Sequence, residues 1–73
     1  MTAEHTLLIT LGLRIKNIRK DKNMTQSALS HKCGFPKGTL SRIEKGKTNL
    51  TIRSLWKICS ALETEMGELF TNL

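Results

Sequence analysis

The stretch TQSALSHKCGFPKGTLSRIEKG, from Thr25 to Gly46, decides the fold, because it reads as two short helices joined by one tight turn. Thr25 can N-cap the first helix, its hydroxyl accepting from a backbone N–H that has no partner within the helix. Gly34 follows, where a residue tolerant of φ > 0 ends a helix at little cost. Pro36 suits the start of the second helix, since its fixed φ is helical and its missing N–H is not needed there. Leu29, Leu40 and Ile43 supply apolar contacts between the two helices, while Lys37, Gly38, Ser41, Arg42 and Lys45 occupy the outward side of the second. The product is a helix-turn-helix with a basic outer face.

On the N-terminal side, Leu8, Leu11, Ile15 and Ile18 recur at three- and four-residue steps, which predicts an amphipathic helix from Thr6 to Lys22. The central helices are predicted over Gln26 to Cys33 and Lys37 to Lys45, the second stopped by Gly46. A polar connection, Lys47 to Leu50, leads to Thr51, which can cap a fourth helix with Ile52, Leu55, Ile58, Cys59 and Leu62 as its buried stripe. A fifth helix fits Met66 to Phe70. No alternating strand pattern competes, so 1–73 reads as one all-α domain, a five-helix bundle with the helix-turn-helix proper at 25–46.

Charge is distributed unevenly. All twelve Lys and Arg lie between Arg14 and Lys57 against only Asp21 and Glu44, while Glu4, Glu63, Glu65 and Glu68 lie outside that span. A basic middle with an acidic C-terminus suggests one face for a polyanion and another for a different contact. Leu7, Leu8, Ile9, Leu11 and Leu13 form too short and interrupted a run for a membrane span, and neither a basic leader nor a cleavage site accompanies them. A soluble, cytoplasmic protein with no membrane partner is expected. Cys33 and Cys59 could form a disulfide or, with His31, join a metal site, but no paired CxxC or HxxxH spacing occurs and both fall near apolar stripes. Core packing is the expected role, with no metal, cofactor or small-molecule ligand.

Helix three carries the residues that could read bases. Lys37 and Arg42 can donate to guanine O6 and N7, Ser41 lies beside them, and Gly38 allows close backbone approach. Gln26 could reach a base edge or brace Lys37. Thr25, at a helix N-terminus, together with Lys45, Lys47, Thr48, Asn49 and Arg53, suits phosphate contacts. Trp56 either packs against helix one or five, or lies at a dimer seam with Leu69, Phe70 or Leu73; Met66 joins the latter set. No paired-carboxylate cleft or nucleophile–base constellation is visible, so an enzyme is not expected.

Four segments carry a resemblance: LGLRIKNIR at 11–19, MTQSALS at 24–30, TLSRIEKGK at 39–47 and LWKICSAL at 55–62. Over Leu11 to Phe70 the chain resembles the phage-repressor-like (Cro/cI-type, or Xre) helix-turn-helix family, and NLTIRSL at 49–55 is similar to the controller proteins of restriction–modification systems. The resemblance implies a five-helix domain that binds double-stranded operator DNA as a homodimer, with helix three in the major groove. It also implies an ion pair between Arg19 and Glu44 joining helix one to the end of helix three. The chain departs from the family pattern at Ser30, usually alanine; at Pro36, usually a polar cap; at Leu50, often proline; and at Glu63-Thr64, usually Gly-Val. The leading expectation is a sequence-specific transcriptional regulator acting on a (pseudo)palindromic operator. An antitoxin that autoregulates its operon, or an adaptor that has lost DNA binding, are the alternatives.

Overall fold

Three threonine hydroxyls set where the main helices begin. The computed structural model describes residues 2–72, with α1 at Ala3–Asp21, α2 at Gln26–Cys33, α3 at Thr39–Glu44, α4 at Ile52–Leu62 and α5 at Met66–Leu69. No strand occurs among the described residues. The Oγ1 of Thr25 accepts from the Ala28 N–H at 3.0 Å, and that of Thr51 from the Ser54 N–H at 3.0 Å. Thr2 does the same for His5 at 3.1 Å, which is why α1 begins three residues before the expected Thr6. At the other end of α2, Gly34 takes φ 68°, and the Phe35 N–H reaches back to the Ser30 carbonyl at 3.1 Å.

α3 is shorter than its sequence pattern predicts, and Pro36 does not start it. The Pro36 carbonyl accepts from the Thr39 N–H at 3.2 Å, closing a turn in which Gly38 stands at φ 84° and enters the helix with no side-chain cap. Glycine is the residue that such a turn takes at its positive-φ position. Gly38 is therefore needed for its backbone conformation, and Lys37 lies in the turn rather than on the helix. A similar demand falls on Glu63, which ends α4 at φ 55° where a glycine, as the resemblance leads one to expect, would be unstrained; a β-carbon there costs about 1 kcal/mol.

Packing follows the apolar stripes. Ile15, Leu29, Leu40, Ile58, Leu62 and Leu69 are the largest fully buried side chains, and Leu11, Ile43, Leu55 and both cysteines complete the cluster. Cys33 on α2 and Cys59 on α4 are unpaired thiols in this core, and burial pushes both thiol pKa values up, holding them protonated and unreactive. Ile52, expected in the buried stripe, is not in it: it opens the first turn of α4 and is 71% exposed, and Phe70, just after the last residue of α5, is 41% exposed.

α1 meets the C-terminal end of α3 through bare backbone. A β-carbon on Gly12 would stand 2.8 Å from the Glu44 carbonyl oxygen and closer still to that of Ile43, while one on Gly46 would lie 2.7 Å from Ile9 Cα. Neither neighbour is a flexible side-chain end that could swing aside. Gly12→Ala should therefore lower stability by about 3 kcal/mol, at the upper end of ordinary overpacking, as read by urea denaturation.

Candidate nucleic-acid interface

A buried guanidinium organises the region in which the candidate DNA-facing residues lie. Arg19, near the end of α1, donates from Nε to Glu44 Oε2 at 2.7 Å and from Nη2 to Glu44 Oε1 at 3.1 Å. Its remaining nitrogen, Nη1, donates to the Met24 carbonyl at 2.8 Å, immediately before the Thr25 cap. Gln26 adds a fourth bond, Nε2 donating to Glu44 Oε1 at 2.9 Å. Arg19 is 7% exposed and Glu44 4%. The pair is thus forked, charge-assisted and nearly dry, and it fastens α1, the start of α2 and the end of α3 at one point.

Around this point the chain arranges its polar side chains in order. Thr25 is exposed and Gln26 half-buried, its amide nitrogen committed to Glu44. Lys37 and Gly38 are exposed in the turn; Arg42 is exposed on α3, with Nη2 at 3.5 Å from Thr39 Oγ1; Ser41 is half-buried. Lys45 caps the end of α3 in the open, and the Lys47 N–H donates back to the Arg42 carbonyl at 2.9 Å, turning the loop beneath the helix. Lys47 and Asn49 are exposed, Thr48 is half-buried, and Arg53 is exposed on the first turn of α4. Lys47, Thr48 and Asn49 share an open groove of about 570 Å³ with Thr2 and His5 from the start of α1. His5 gave no local signal in the sequence, since more than forty residues separate it from the loop it meets.

Several expectations need correction. Arg14 belongs to the basic span but does not serve that face: its guanidinium donates to the carbonyls of Glu68, Leu69 and Asn72 at the C-terminal end of α5. Leu69 is fully buried in the chain's own core and offers nothing to a second copy. Trp56 does not pack into the interior; it is 61% exposed, beside an open groove that it lines with Lys32, Lys57, Ser60 and Ala61. Met66 is half-buried against the core, and Leu73 lies outside the described residues. Among the described residues no three His, Cys, Asp or Glu side chains gather as metal ligands, and no helix is long and apolar enough to cross a membrane.

Comparison with known proteins agrees with this fold. A family model described as Helix-turn-helix matches residues 15–69. The uncharacterized HTH-type transcriptional regulator y4dJ of Sinorhizobium fredii is 31% identical over 61 residues, covering 84% of this chain and 79% of that protein. The HTH-type transcriptional regulator SinR of Bacillus licheniformis is 38% identical over 63 residues, 85% of this chain, which spans only 57% of SinR. Among solved structures, the restriction-modification controller protein C.AhdI from Aeromonas hydrophila superposes with a TM-score of 0.83 at 28% identity, over 86% of this chain and 96% of that one.

The Arg19–Glu44 pair generates a direct expectation. Glu44→Gln leaves a buried cation without its counter-charge, which typically costs about 3–5 kcal/mol. Thermal melting should register a large loss of stability, although no exposed side chain of the candidate interface has changed; an unaltered melting curve would contradict the buried-pair account.

Proposed function

The chain belongs to the helix-turn-helix family of Cro/cI (Xre) type, and from that premise we propose that it is a sequence-specific double-stranded-DNA-binding transcriptional regulator, working in the cytoplasm as a homodimer on a (pseudo)palindromic operator. The observation that carries the reading is the forked Arg19–Glu44–Gln26 network, which ties the N-terminus of α2 to the C-terminal end of α3. Around it stand exposed cations and short polar groups on consecutive elements. A surface built this way can present α3 to a major groove while its flanks hold the sugar–phosphate backbone.

Roles follow from chemistry. Lys37 and Arg42 donate to guanine O6 and N7, with Ser41 in a lesser part. Gln26 spends one of its two amide N–H donors on Glu44, so it still offers DNA its Oε1 acceptor and a second N–H, the pair that suits an adenine edge. Gly38 reads nothing and shapes the turn. Thr25, at a free helix N-terminus, and Lys45, Lys47, Thr48, Asn49 and Arg53 hold phosphates.

Dimerisation supplies the site length that one such unit lacks. Two copies related by a two-fold axis would set their α3 helices about 34 Å apart, one turn of DNA. Support for a self-complementary seam comes from Trp56 and Phe70, exposed large apolar side chains, and from Ile52, one turn before Trp56 on α4. Met66 lies at its margin.

Three measurements test the reading. If a dimer engages about six to ten phosphates, the slope of log affinity against log salt should be roughly −5 to −9. Lys37→Ala should cost about 1–3 kcal/mol and relax preference at one operator position, whereas Arg53→Ala should weaken all sequences alike. A slope near zero would overturn DNA binding, and a reversed pattern would exchange the two roles. Sedimentation should show twice the monomer mass at micromolar concentration, with Phe70→Glu shifting it to monomer; a wild-type monomer that grips a single half-site tightly would overturn the dimer.

A further inference from the structure

α5 has four residues, Met66–Leu69, too few to hold a helical conformation by its own hydrogen bonds. Leu69 anchors it by burial, but Phe70 begins where the helix stops and is 41% exposed. Among the described residues, the hydrogen bonds that reach this segment from another element all come from one side chain. Arg14 Nη1 donates to the Glu68 and Leu69 carbonyls at 3.4 and 3.2 Å, and Nη2 to the Asn72 carbonyl at 3.4 Å. Those acceptors lie on both sides of Phe70 in the chain, so the guanidinium brackets it. A cation at the carbonyl end of a helix is also favourably placed against the local dipole.

We propose that Arg14 is a positioning residue for self-association: by clasping the carbonyls that flank Phe70, it fixes the direction in which α5 presents that ring to a second copy of the chain. This inference rests on the dimer reading above. It converts one charge of the basic span from a DNA-facing role to an internal one. It also ties the dimer surface to α1, the same helix that holds α3 through Arg19. The fork suits the task better than a point charge, because one ammonium cannot reach carbonyls on both sides of Phe70 with the same planar geometry.

The test compares wild type, Arg14→Gln and Arg14→Lys in sedimentation and in binding to a duplex with one half-site and a duplex with two. Arg14→Gln should weaken dimerisation about tenfold, the effect of losing favourable contacts at a helix terminus. Affinity for the single half-site should stay near the wild-type value, because the interface around α3 is unchanged, while affinity for the two-half-site duplex falls. Arg14→Lys should recover part of the loss. Amide exchange at residues 68–72 should quicken in Arg14→Gln even if its melting temperature hardly moves. A dimeric wild type whose Arg14→Gln variant is equally dimeric overturns the inference alone. Equal losses on both duplexes also overturn it, since they would mean general destabilisation or direct DNA contact. A monomeric wild type overturns the dimer reading and removes this inference with it.

Discussion

The bond between Arg19 and Glu44 is the constraint on which the rest of the molecule depends. Removing two charges from water is costly, and their mutual attraction offsets that cost only when both the fork and the carboxylate are well supplied with partners. Here they are: the guanidinium reaches both carboxylate oxygens and the Met24 carbonyl, and Gln26 donates to the carboxylate. Satisfying these groups requires α1, the residues before α2, and α3 to arrive together. α3 has six residues, one and a half turns or so, and could not hold its shape alone. Its rigidity is borrowed from the pair and from Leu40 and Ile43 beneath it.

Local chemistry made much of this legible. Thr25 and Gly34 bound α2 where their capping tendencies say they should, and Thr51 does the same for α4. The apolar stripes of α1 and the body of α4 mark the buried faces well. What was not legible depends on distant partners. Nothing near Arg14 in sequence distinguishes it from the other cations of its span, and its acceptors are more than fifty residues away. Gly12 resembles any tolerated helical glycine until α3 is laid across it. Helical periodicity also cannot separate a residue buried in its own domain from one left exposed. Leu69 and Phe70 are neighbours of similar hydrophobicity with opposite fates, and Ile52 continues the α4 stripe beyond the point where anything covers it.

The ionic inventory divides into internal and external parts. Arg14 and Arg19 both use guanidinium forks to close gaps inside the fold, one at the end of α5 and one between α1 and α3. The cations that remain outward on α3 and the loop after it are Arg42, Lys45 and Lys47, joined by Lys37 from the turn and Arg53 from α4. Net charge overstates what is available to a polyanion, because some positive charge is structural. The glutamates near the C-terminus balance the total without diluting that outward group.

Gly12 and Gly46 give α1 and the end of α3 a contact made of main-chain atoms. Main-chain atoms are the same whatever residues a lineage acquires elsewhere on α3. The depth at which that helix sits is consequently insulated from changes on its outer side, where, under the proposed function, substitutions would alter which bases are read but not where the reader stands. A fold that stores its spacing in glycines leaves its outward residues free to drift, so new binding preferences can evolve without first rebuilding the core.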